Sequence, residues 1–331
     1  MQPTRLRLAC LRHTVSTSAS SRVVRPVGVA GNEARRRTNA RIRASSSRPQ
    51  STTAAAVVAA DVLVSAWATR RWITELADYP AAPSNVGDLY VVHLEMARHP
   101  LAESALGGLA GYKVGAVGAE GQPCIYAPLF RRFVVDEADC CSTGGALTSS
   151  SVQMHQVEPE ITLLLGEDLN AKADGSPHSA SDVWAAVKEV ALSIECCGQR
   201  GSAEVMAQQP RLGKFQDALA AGGLVLGRRL LPNKESGGVS VSVESLASCS
   251  TELLINGKVV ATGSAGNCPA GGPVEATVFL ANELNRRGLA LQRGQVVATG
   301  QTCMSREFAV GDTVEARFVE LGGKVSMVVE P

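Results

Sequence analysis

Apolar and polar positions alternate along Gln156-Val157-Glu158-Pro159-Glu160-Ile161-Thr162-Leu163-Leu164-Leu165-Gly166, the pattern of a strand closed by a glycine. Side chains of a strand alternate between its faces, so Glu158 and Glu160 share one face and Ile161, Leu163 and Leu165 the other. The alternation recurs over residues 192–197, with Leu192 and Ile194 on one side and Ser193 and Glu195 on the opposite side. Further strands are predicted at 224–226, 296–299, 313–319 and 325–329, and at 125–133, where Pro128 points to a sheet edge. Residues 253–255 turn through Asn256-Gly257 into 259–262 as a hairpin. Helical spacing begins at Asp61, with Ala66, Ile73, Leu76 and Ala77 recurring and Trp67 and Trp72 beside them. Asp88 is placed to cap a helix over 89–97, which leaves His93 and His99 as helix-surface residues. Ser181 is placed to cap a helix running through Val183, Trp184, Val187 and Val190, and a further helix spans 274–284. Many short strands with few helices predict an α+β fold: a mixed, largely antiparallel sheet folded on itself, with flanking helices.

Composition adds a boundary. The 331 residues are 45% hydrophobic and 19% charged, which suits a soluble globular protein, and no run of eighteen apolar residues predicts a membrane span. The net charge of +1 hides an asymmetry. Residues 1–50 hold 11 Arg and one acid, Glu33; they carry roughly +10 and leave roughly −9 to the rest. A mildly acidic body argues against nucleic acid as a partner. Residues 1–60, rich in Arg, Ser, Ala and Thr, read as an organelle transit peptide, with a disordered basic tail and a cytoplasmic protein as the plainer alternative. Composition does not separate mitochondrion from chloroplast. Residues 61–331 then form the functional domain. The nine cysteines contain no CxxC pair, and their odd count points to reduced thiols.

Three stretches carry candidate chemistry. Two carboxylates on one strand face repel unless a cation lies between them, and Glu158 and Glu160 suit a hard divalent ion such as Mg²⁺. A solvated strand end rich in Glu is the plain alternative. Glu195 is a candidate third carboxylate, or else the partner of Arg200. Lys113 sits in Gly111-Tyr112-Lys113-Val114-Gly115, among small residues that allow close approach to a ligand. Partial burial there would lower its pKa toward acid–base work; the alternative is a surface lysine between turns.

The order of these motifs is distinctive. Lys113, Glu158-Pro159-Glu160 and Glu195 are followed by Asp217 ahead of Leu224-Val225-Leu226-Gly227, then Asn256-Gly257-Lys258, Phe279-Leu280-Ala281-Asn282, Thr299-Gly300 and Gly311-Asp312. Together they resemble the fumarylacetoacetate hydrolase superfamily, in its branch of 2-oxopent-4-enoate hydratases and 4-oxalocrotonate decarboxylases, over residues 65–330. The resemblance implies that superfamily's β-roll. It implies Mg²⁺ or Mn²⁺ held by Glu158, Glu160 and Glu195, a catalytic Lys113, and substrate contacts at Asp217, Thr299 and Gly300. It also implies a small 2-oxo acid substrate and a homo-oligomer. Three departures stand out. The acid expected after the lysine motif is absent from Cys124-Ile125-Tyr126-Ala127-Pro128. The Gly-His-Pro before the late helix reads Gly271-Gly272-Pro273. Ala218 and Ala220 stand where the family has Asn and Ser. The expected activity is a hydratase acting on 2-hydroxydienoic acids. Its alternatives are a decarboxylase, an acylpyruvase-type hydrolase using His155, and a non-catalytic metal-binding relative.

Overall fold

The computed structural model describes residues 53–117, 123–140, 153–232 and 240–329. The chain enters through a helix, Ala54–Thr69, whose N-cap Thr53 accepts from the Ala56 amide and whose end is marked by Arg70 in the left-handed region. Ala56, Ala59, Ala60, Leu63 and Trp67 of this helix are buried. This helix begins seven residues before the boundary expected at residue 61, and the small alanines read as leader composition form its packing face. The transit-peptide expectation for residues 1–52 lies outside the described residues.

The strands are β1 (Leu109–Ala116), β2 (Cys124–Phe130), β3 (Val134–Asp136), β4 (Gln153–Leu165), β5 (Val187–Gln199), β6 (Ala221–Pro232), β7 (Ser240–Val241), β8 (Ser250–Ile255), β9 (Lys258–Ser264), β10 (Val296–Gln301), β11 (Arg306–Glu307), β12 (Thr313–Phe318) and β13 (Gly323–Val328). A large sheet runs β2-β1-β10-β4-β5-β6-β3, with β11 beside β4 and β7 beside β6; a second runs β13-β12-β8-β9. The pairs β1·β10, β3·β6 and β6·β7 are parallel and the rest antiparallel, so the mixed, largely antiparallel α+β fold is observed. The second sheet packs on β5 and β6 at close quarters. A side chain at Gly227 would come within 2.7 Å of Val325, and one at Gly323 within 2.4 Å of Leu192. Pro128 lies on β2, an edge strand, where a missing backbone donor is tolerated.

Several boundaries shift for local reasons. Asn85, not Asp88, caps the second helix (Val86–Arg98); Asp88 is its N3 residue, and the amide of Asp88 bonds Asn85 Oδ1 at 3.0 Å. Ser179, not Ser181, caps the helix Ala180–Ala186 in a box with Asp182. That helix stops at Ala186 because Val187 and Val190 belong to β5, which pairs with β4 along almost its whole length. Their β-branched side chains favour the sheet. His93 is not a helix-surface residue. It is 2% exposed, with Nδ1 3.0 Å from the Tyr126 carbonyl and Nε2 3.0 Å from that of Phe215. Burial pushes its pKa down to about 4, so the ring is neutral at physiological pH.

Candidate active site

The register of the two long central strands places the carboxylates. Glu158 on β4 is directly paired with Glu195 on β5, and Glu160 with Ser193, so all three acids lie on one face of the sheet. Pro159 sits between them in a central strand. Its carbonyl is taken by the Thr302 amide and hydroxyl, both at 2.9 Å, where the β10 register shifts. Glu158 is half-buried and lines a cavity of about 370 Å³. Glu160 and Glu195 are buried, and neither oxygen of Glu160 nor Oε2 of Glu195 has a hydrogen-bond partner.

Lys113 approaches from the other side of β10. Gly111 permits this pairing, since a Cβ there would lie 1.9 Å from the Val296 carbonyl oxygen. Lys113 is 5% exposed and lines the cavity, flanked in the sheet by Ala127 and Ala298. Its ammonium donates to Glu195 and, at 3.2 Å, to the Leu219 carbonyl. The predicted lowering of its pKa does not occur. Burial, the largest single influence, pulls it down, but Glu195, Cys197, Glu158 and Glu160 together outweigh burial and hold it above the usual lysine value. Lys113 is thus a fixed cation.

The Leu219 carbonyl owes its direction to a left-handed turn. Ala218, Leu219 and Ala220 all have positive φ, at 47°, 52° and 59°. Three non-glycine residues in this region cost about 1–2 kcal/mol each. Arg200, fully buried, fastens the turn at both ends, donating to the Asp217 carbonyl at 2.9 Å and to that of Ala221 at 2.7 Å. Its Nε and backbone amide meet the Asp217 carboxylate at 2.5 and 2.6 Å, and its guanidinium lies 4.0 Å from the Trp67 ring centroid. Asp217 is therefore fully buried and committed to Arg200; it does not line the cavity, contrary to its predicted substrate contact. Arg200 in turn is not the partner of Glu195.

Thr299 is also turned away from the cavity, with its hydroxyl donating to the Ile161 carbonyl at 2.6 Å across the β10 irregularity. Gly300 does line the cavity, at φ 101°, and a Cβ there would lie 2.3 Å from Pro269. Arg211, Phe215, Asn267 and Gln301 complete much of the polar and aromatic lining. Arg211 and Asn267 were not among the expected site residues, and neither carries a periodic signal in the sequence. Cys197 was also missed, although strand alternation places it with Glu195. His155, exposed on β4, is not a lining residue.

Two curated relatives share much of this chain. They are 2-keto-4-pentenoate hydratases 1 and 2 of Dechloromonas aromatica (strain RCB), each 29% identical over 248 residues, or 73% of this chain and 85% of theirs. No family model matches. Among solved structures, 4-oxalocrotonate decarboxylase from Pseudomonas putida G7 complexed with magnesium and adipate has a TM-score of 0.67 at 22% identity, covering 85% of this chain and 99% of that one. The same enzyme complexed with calcium and acetate gives 0.64 at 21%. Over most of its length the chain is thus similar in sequence to 2-keto-4-pentenoate hydratases, and it shares the fold of 4-oxalocrotonate decarboxylase.

For a fumarylacetoacetate hydrolase-type site, the donor set fits a divalent metal. Three carboxylates share the sheet face with one ammonium, and three of their buried oxygens have no donor. Burial, then the neighbouring Glu195 charge, pushes the Glu158 carboxyl up to about 7, and both causes also raise Glu160. A hard cation with all-oxygen ligands relieves that excess. The superfamily departures are visible as well. No Asp or His lines the cavity among the described residues, and Ala218 and Ala220 hold the left-handed turn without a polar side chain.

Proposed function

We propose that this protein is a divalent-metal-dependent lyase acting on small 2-oxo or 2-hydroxydienoic acids, with hydration of a 2-hydroxypenta-2,4-dienoate as its reaction. The observation that carries the reading is the cross-strand pair Glu158 and Glu195, with Glu160 beside it, buried behind a cavity that Glu158 and Lys113 line. Glu158, Glu160 and Glu195 are the residues to hold Mg²⁺ or Mn²⁺. The ion supplies electron withdrawal from a chelating 2-oxo acid. Lys113, protonated and fixed by Glu195 and Leu219, donates its proton to the substrate oxygen on which charge develops. Phe215 and Ile125 give the cavity apolar walls, and the Gln301 amide is available to orient water, while Asn267 Nδ2 is committed to the Thr302 carbonyl at 3.1 Å. The 29% identity to two hydratases supports hydration.

A second reading, decarboxylation of a 2-oxo diacid, is favoured by one observation: among the described residues no Asp or His lines the cavity to activate water. Loss of 2-hydroxypenta-2,4-dienoate absorbance with Mg²⁺ or Mn²⁺, with 4-oxalocrotonate and oxaloacetate in parallel, decides between them. Turnover of the dienoate establishes hydration, and turnover of only the diacids establishes decarboxylation. Silence on all three with metal bound rejects both. We also propose that residues 1–52 address the protein to an organelle, which their Arg-rich, acid-poor composition supports. A reporter fused to residues 1–52 that stays in the cytosol would refute this.

A further inference from the structure

Cys196 and Cys197 are adjacent, but β5 sends them to opposite faces. Cys196 packs toward the second sheet, its sulfur 3.5 Å from that of Met327. Cys197 is two residues beyond Glu195 and shares its face. Glu158, Glu195 and Cys197 each present a ligand atom, and the three atoms lie within 4.8 Å of one another. Among the described residues this is the trio that meets such closeness; Glu160 occupies the same strand face but is not part of it. Glu195 Oε2 is buried there without a partner, and Cys197 is buried beside the cavity-lining Glu158.

We propose that Cys197 is a metal ligand the site recruits for thiophilic divalent cations. Resting on the metal reading above, the centre is then a two-mode site. A hard ion such as Mg²⁺ is held through carboxylate oxygens and leaves the thiol protonated. Zn²⁺, Cd²⁺ or Co²⁺ is held by Glu158, Glu195 and the Cys197 sulfur, because thiolate selects softer ions. On binding, the S–H bond breaks, the sulfur–metal bond forms from the sulfur lone pair, and the proton passes to solvent. No electron transfer is involved. A softer ion held this way sits toward Cys197 and displaces the ion held through oxygen.

The test titrates the full chain with Co²⁺ and Cd²⁺ and reads the thiolate-to-metal charge-transfer absorption, with Mn²⁺ binding followed separately by electron paramagnetic resonance. The wild-type chain is expected to show one equivalent of band, displacing Mn²⁺. Cys197→Ala is expected to lose the band and to bind Cd²⁺ more weakly by at least the roughly 10–100-fold that loss of a supporting group costs a metal site. Its Mn²⁺ stoichiometry should be unchanged, which also reports that the variant folds. Cys196→Ala should keep the band. A band that survives Cys197→Ala, or a wild-type chain that binds Mn²⁺ but gives no band, overturns the proposal while sparing the metal reading. Absence of both Mn²⁺ binding and the band overturns the two together.

Discussion

Glu158 and Glu195 are directly paired across β4 and β5, two like charges where cross-strand partners ordinarily attract. The folded chain holds the protons of Glu158 and Glu160 more tightly than an unfolded chain, whose glutamates titrate near 4.5. Between that value and about 7 the native state binds more protons than the unfolded state, so stability of the metal-free protein falls as pH rises. Melting temperature measured in chelator should therefore drop from about pH 5 to about pH 7.5, a tenfold difference in proton affinity between the two states being worth about 1.4 kcal/mol. Mg²⁺ or Mn²⁺ should raise it more at the upper end, where the carboxylates are free to bind. Equal metal-induced rises at both ends would contradict this.

Lys113→Ala removes the fixed ammonium while leaving all three carboxylates. Turnover should fall by about 10²–10⁴-fold, the span typical of a positioned proton donor. Metal affinity, read by calorimetry, should hold or tighten, since a competing cation next to Glu195 is gone. Retained turnover would remove Lys113 from the mechanism.

Asp217→Ala strands the buried guanidinium of Arg200. Breaking such a pair costs about 3–5 kcal/mol. Chemical denaturation should show the loss, and turnover should fall with it as the Leu219 carbonyl leaves Lys113. The conservative Asp217→Glu should recover part of both. A loss of stability with kcat intact would show that the turn does not position the lysine.

Ala218→Gly relieves one left-handed alanine at φ 47°. The expected gain is about 0.5–1 kcal/mol, partly offset by the freer unfolded chain. A higher denaturation midpoint checks it.

The strands that carry the site were legible because alternation assigns a face directly: Glu158, Glu160 and Glu195 were placed on strands and proved to share one. Lys113 was legible from the small residues around it, but its pKa direction was not, because Glu195 lies 82 positions away in the chain and only the curled sheet brings it near. Asp217 and Thr299 were expected as substrate contacts from the resemblance. In the structure each spends its polarity on the backbone: Asp217 accepts from the Arg200 amide and Thr299 donates to the Ile161 carbonyl. Arg200 and Arg211 lie in stretches without periodicity, so pattern offered no face to assign them. Helix starts were off by two or three residues where several Ser, Asn and Asp compete for one cap.

The left-handed turn held by Arg200 has a consequence for how this chain can change over generations. The residues that keep it wound do not touch the cavity, yet they set where one of the two acceptors of the Lys113 ammonium stands. Durability and catalytic skill are thus yoked at this spot: a lineage that relaxes Asp217 or Arg200 loosens its chemistry in the same step.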